Sequence, residues 1–205
     1  MAVRRIGLLG GSFNPAHEGH LHISHLALVR LRLTQVWWVV SPQNPLKGEA
    51  DMAPMDDRLA AARTFVGDPR IRVSDIERRM GTVYTLDTVT ALQARFRSAR
   101  FVWLMGADNL IQVSRWRHWE SLFNRVPIAV FPRPSYSFRA LASPAAVRFA
   151  DFRVKDTRAG LLADLVPPAW VFLRARAHRA SATRIRERRQ LRSDGETACR
   201  GGETE

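Results

Sequence analysis

Short apolar runs recur along this chain, each followed by glycine, proline or polar residues. They are Arg5–Leu9, Val36–Val40, Ile71–Val73, Phe101–Met105, Ile128–Phe131 and Ala169–Leu173. Runs of this length and character suit strands buried on both faces. Between them lie stretches with helical spacing of apolar residues. His17–Leu33 carries Leu21, Ile23, Leu26, Leu28, Val29, Leu31 and Leu33. Asp56–Phe65 and Thr85–Phe96 follow the same period, the latter with Thr85 as a candidate cap. Strands alternating with helices predict an α/β fold, a Rossmann-like doubly wound parallel sheet with helices on both faces. Ligands of such sheets bind beyond the carboxyl ends of the strands. That points to the residues after each run: Gly10–His20, Ser41–Lys47, Gly106–Asp108 and Pro132–Pro134.

A chain of 205 residues suits one such domain. We expect it to occupy 1–192, ending in a basic helix over Thr183–Leu191, with 193–205 a disordered polar, glycine-containing tail. No apolar run approaches the ~20 residues that span a bilayer. The first apolar run breaks at Gly10-Gly11, too early for a signal-peptide core. Cys199 is the single cysteine, so nothing asks for an oxidising compartment, and a cytoplasmic location is expected. The formal charge of +13 raises the question of nucleic-acid binding. Only Lys47 and Lys155 are lysines, however, and the arginines are scattered rather than striped. With no dedicated motif in support, nucleic-acid binding is not expected as the main role.

The stretch Gly10-Gly11-Ser12-Phe13-Asn14-Pro15-Ala16-His17-Glu18-Gly19-His20 carries the chemistry. A strand ends, two glycines allow a tight turn close to a ligand, and Ser12 or Asn14 can cap or brace it. A helix then starts near His17, and its free N–H groups and positive dipole end attract phosphate. His17 and His20, three apart, lie on one side of the first turn and can donate hydrogen bonds to phosphate oxygens. The spacing is neither G-x-G-x-x-G nor a P-loop. His22 and His25 extend the histidines, but at ~100° per residue His22 faces away from His20, so a four-histidine metal site does not form. No Cys or carboxylate at ligand spacing adds to it.

The same segment resembles the (H/T)-x-G-H signature of the nucleotidyltransferase superfamily. Ser181-Ala182-Thr183-Arg184-Ile185-Arg186 is similar to the S-[ST]-T-x-I-R motif of the bacterial nicotinate-nucleotide adenylyltransferases. Asn44-Pro45-Leu46-Lys47, Tyr84-Thr85-Leu86-Asp87-Thr88, Met105-Gly106-Ala107-Asp108 and Trp116 match further family segments in the same order. The resemblance runs from residue 5 to about 190. Asn14 stands where many members carry Asp, and Ala182 where a hydroxyl residue is common.

This resemblance implies adenylyl transfer from ATP to nicotinate mononucleotide, with deamido-NAD and pyrophosphate as products. Mg²⁺ would come with ATP rather than sit in a dedicated protein site. The implied catalytic residues are His17, His20 and Lys47. Gly10, Gly11, Ser12, Phe13, Gly106, Asp108, Ser181, Thr183, Arg184 and Arg186 would bind ATP. Lys47, Thr85, Trp116 and Arg133 would bind the nicotinate nucleotide, Thr85 through backbone N–H groups facing the carboxylate and Trp116 by stacking on the ring. Another phosphorylated acceptor, such as phosphopantetheine, and a non-catalytic basic nucleic-acid-binding module are the alternatives. The chain is too short for an aminoacyl-tRNA synthetase and has no K-M-S-K-S-like segment.

Overall fold

The computed structural model describes residues 3–42, 52–134 and 136–175. Among them a seven-stranded sheet runs in the order β3-β2-β1-β4-β5-β7-β6, with every neighbouring pair parallel. The strands are β1 (Arg4–Gly11), β2 (Gln35–Val40), β3 (Ile71–Ser74), β4 (Ala99–Gly106), β5 (Ile128–Phe131), β6 (Arg153–Val154) and β7 (Trp170–Phe172). The helices are α1 (Glu18–Arg30), α2 (Met55–Phe65), α3 (Ile76–Met80), α4 (Thr85–Arg95), α5 (Ala107–Gln112), α6 (Trp119–Phe123), α7 (Ser137–Leu141) and α8 (Pro144–Arg148).

Alternation along the central strands sends side chains to opposite faces. Ile6 and Leu8 of β1 and Phe101, Trp103 and Met105 of β4 join one apolar cluster, with Val89 and Leu92 of α4, Leu110 of α5 and Leu122 of α6. Leu9, Val102 and Leu104 join the other, with Ile23, Ala27 and Leu28 of α1 and Leu59 and Ala62 of α2. Helices therefore cover both faces, as the apolar runs require. Among the described residues no helix is long and apolar enough to cross a membrane.

Two expectations are corrected. Gly10 and Gly11 do not form the turn: they are the last residues of β1, in register with Val39 and Val40. A Cβ at Gly10 would lie 2.5 Å from the indole of Trp103, so the glycine is there for the close approach of that ring. The backbone reversal falls on Phe13, at φ 48°. Thr85 is the first residue of α4 rather than its cap, a position held by Tyr84. The strand expected at Ala169–Leu173 is present as β7, which inserts between β5 and the two-residue β6.

Candidate active site

The first turn of α1 is closed by its own histidines. His17 is the N-cap, with extended backbone (φ −154°, ψ 167°). Its Nδ1 accepts from Gly19 N–H (3.1 Å), and its own N–H donates to Nδ1 of His20 (3.2 Å). Neither Ser12 nor Asn14 supplies this cap. The two rings stack with centroids 3.8 Å apart and planes at 27°. Because each Nδ1 accepts a hydrogen bond, the proton of each neutral imidazole sits on Nε2. Burial holds the His20 pKa well below the ordinary histidine value, with further lowering from His17 and Arg133. His20 is thus a neutral Nε2–H donor at physiological pH.

Packing keeps this turn in place. Phe13 is buried, its ring 4.6 Å from that of His20 and stacked on Trp38 at 4.9 Å. A left-handed backbone at a bulky residue costs about 1–3 kcal/mol and persists only where its surroundings enforce it. Trp38 Nε1 donates to Ser24 Oγ, which donates to the His20 carbonyl, both at 2.8 Å. The histidine turn is thereby tied to β2.

Across the switch point between β1 and β4, Gly106 caps α5 and Asp108 lies in its first turn. Arg133, just beyond β5, places Nε 3.5 Å from Asp108 Oδ1. A Cβ on Gly106 would overlap that carboxylate and stand 3.0 Å from the guanidinium, so a side chain there would displace the pair from this arrangement. Gly19, His22 and Ile23 of α1 share a small hollow with Phe131, Pro132 and Arg133. The ends of β1, β4 and β5 thus gather Gly10, Gly11, His17, His20, Gly106, Asp108 and Arg133 into one region. His22 faces the hollow and His25 lies 3.4 Å from Asp68, so neither joins the histidine pair.

A second group sits at the start of α4. The N–H groups of Thr85, Leu86 and Asp87 precede the first helical bond, Thr88 N–H to the Tyr84 carbonyl. The Arg117 guanidinium lies 4.7 Å from the ring centroid of Tyr84, which makes the Trp116 segment a neighbour of this helix start. Trp116 is half-buried against the α4-side cluster. Trp103 is core beneath Gly10, and Trp119 is set edge-on to Phe123 and Phe149. Lys47, Ser181, Thr183, Arg184 and Arg186 lie outside the described residues, as does the expected boundary at 192.

A model of the cytidylyltransferase-like family matches residues 8–188. The chain belongs to that family. It is 56% identical over 184 residues to the "Probable nicotinate-nucleotide adenylyltransferase" of Parvibaculum lavamentivorans, covering 90% of this chain and 92% of the relative. A Caulobacter protein of the same name is 47% identical, covering 90% and 97%. Among solved structures, Plasmodium falciparum nicotinic acid mononucleotide adenylyltransferase complexed with NaAD superposes with a TM-score of 0.67 at 14% identity, covering 90% of this chain and 83% of that one. At that identity the likeness speaks for the shared fold.

Two buried charged residues close to these segments were not singled out from the sequence. Arg58 is buried on α2, and its guanidinium donates to four backbone carbonyls: Ala53 (2.8 Å), Ser12 (2.6 Å), Ser41 (2.9 Å) and Pro42 (3.1 Å). Its signal is phase: it shares the inward face with Leu59 and Ala62. Glu77 is buried on α3, and desolvation raises its pKa to about 7 despite hydrogen bonds from Thr88 and Ser41. Thr88 Oγ1 donates to Glu77 Oε1 at 3.2 Å. No local pattern marks Glu77, because α3 is too short to show a period.

Proposed function

We propose that the chain transfers the adenylyl group of ATP to nicotinate mononucleotide in NAD biosynthesis, giving deamido-NAD and pyrophosphate. The observation that carries this reading is the reciprocal histidine cap of α1, with Nε2–H donors on a helix N-terminus and the Arg133 charge near enough to lower the His20 pKa, in a chain half identical to its nicotinate-nucleotide relatives. A phosphate oxygen of nicotinate mononucleotide attacks the α-phosphorus of ATP. The bond from that phosphorus to the α,β-bridging oxygen breaks, and pyrophosphate leaves. No side chain has to carry a proton in this displacement, so positioning and charge neutralisation are what the protein supplies.

His17 and His20 are assigned to the ATP phosphates, with His20 the donor that stabilises the charge built up in the transition state. Gly10, Gly11, Ser12, Phe13, Gly106 and Asp108 are assigned to the nucleotide, and Arg133 to the acceptor phosphate. Lys47 and the Ser181, Thr183, Arg184 and Arg186 set are assigned to phosphates on sequence position. The N–H groups at Thr85 are assigned to the pyridine carboxylate and Trp116 to its ring; an amide would lose the charge that a helix start favours.

Mg²⁺ fits as a companion of ATP. Asp108 is engaged by Arg133, and among the described residues no three His, Cys, Asp or Glu side chains converge. Phosphate oxygens and water would hold the ion, which when bound offsets phosphate charge. We place the reaction in the cytoplasm.

The test is a panel of acceptors with ATP, scored by pyrophosphate release. Nicotinate mononucleotide should far exceed the nicotinamide nucleotide and phosphopantetheine. Equal or greater turnover with either competitor overturns the assignment. Salt-sensitive binding to random nucleic acid without ATP binding would instead favour the non-catalytic alternative.

A further inference from the structure

We propose that Arg58 is a positioning residue of this site: its guanidinium locks the turn ahead of α1 to the end of β2 and to the start of α2. The inference rests on the adenylyl-transfer reading above. Four carbonyls converge on one buried cation. Ser12 belongs to the phosphate turn, Ser41 and Pro42 follow β2, and Ala53 precedes α2. Ser41 and Ala53 both precede proline, so their peptide units carry an acceptor carbonyl and no N–H donor.

Among the described residues Arg58 has no carboxylate partner, and burial lowers its pKa. A charged group is kept there only because carbonyl dipoles replace its water. A planar guanidinium has five N–H donors spread over a fork, enough for all four carbonyls; an ammonium has three donors at one point. Lysine therefore keeps the charge and loses part of the lock. Ser41 is held from other sides as well: its N–H donates to the Gly11 carbonyl and its hydroxyl reaches Glu77. Gly11, Ser12 and Ser41 thus form one rigid junction directly before Phe13 and His17. Catalysis by positioning falls steeply with displacements of about 1 Å. A loosened junction therefore reaches the reaction through the histidine turn, with no contact between Arg58 and substrate.

The test compares wild type, Arg58→Lys and Arg58→Met at a temperature where circular dichroism shows each folded. We expect kcat per folded molecule to fall about tenfold for the lysine variant and at least tenfold further for the methionine variant. KM for nicotinate mononucleotide should stay within threefold. Lysine rescuing part of the methionine defect supports the lock. A purely structural arginine would lower only the melting temperature, so kcat within twofold of wild type in Arg58→Lys overturns the proposal. If the variants do not fold, NMR of the wild-type guanidinium decides. Arg58 side-chain N–H signals should resist solvent exchange and show hindered rotation, whereas rapid exchange overturns the inference. Wild-type pyrophosphate release is measured first. Its absence would sink the adenylyl-transfer reading, while the NMR measurement would still judge the lock itself.

Discussion

A histidine that donates to a triphosphate must hold its proton on the outward nitrogen and stay neutral. His20 does both, since its Nδ1 accepts from the His17 amide and burial disfavours its charged form. Replacing it with alanine removes one donor; kcat should fall on the order of 100-fold, about 3 kcal/mol of transition-state stabilisation. Unchanged turnover by pyrophosphate release would contradict its role. With its pKa well below 6.5, the His20 ring should not titrate between pH 8 and 6 when followed by NMR. Glu77 behaves oppositely. Its folded pKa of about 7 exceeds the unfolded carboxylate value, so the folded state holds the proton more tightly. Its contribution is intact below about pH 4.5 and is lost as pH rises to 7, by about 3 kcal/mol. Glu77→Gln should therefore melt above wild type at pH 8 and level with it at pH 4.5. A lower melting temperature at pH 8 would show that the charge is needed.

At the scale of elements, the helix start and the strand crossing each do two jobs. The cap on α1 uses the same ring that faces the site. His17→Ala should lose about 1 kcal/mol of stability along with activity. His17→Asn should recover the cap but not kcat, since asparagine offers the oxygen without the Nε2–H. Recovery of both would make His17 structural only. Gly10→Ala tests the crossing of β1 and β4: its methyl meets Trp103 at 2.5 Å, and overpacking of that kind costs about 1–3 kcal/mol by denaturant melts. These features also mark what the sequence could convey. Gly10-Gly11 reads as a turn because the ring that demands it lies on another strand. Strands and long helices announce themselves by period, but α3, α7 and α8, at five residues each, are too short to do so.

Across the whole molecule, ligand binding and stability are linked. Nicotinate mononucleotide at 100 times its Kd should stabilise the fold by about 2.7 kcal/mol. For a chain of this size that is roughly a 5–10 °C rise in Tm, and the nicotinamide nucleotide at the same concentration should give less. An equal rise would remove the discrimination assigned to Thr85 and Trp116. The apolar runs and helical spacings were enough to establish an α/β sheet covered on both faces, and the ordered motifs marked the strand ends to which the chemistry is assigned, because both are local properties of neighbouring residues. The order β3-β2-β1-β4-β5-β7-β6, with β7 inside it, was decided by pairing between distant segments. So were the meeting of Arg133 with Asp108 and the burial of Glu77. Arg58 reaches Ser12 across 46 residues of chain, and what makes it a lock is desolvation among carbonyls from three separate segments. A periodic pattern says which face turns inward. Only the packed fold determines what a buried charge or an intruding ring finds there.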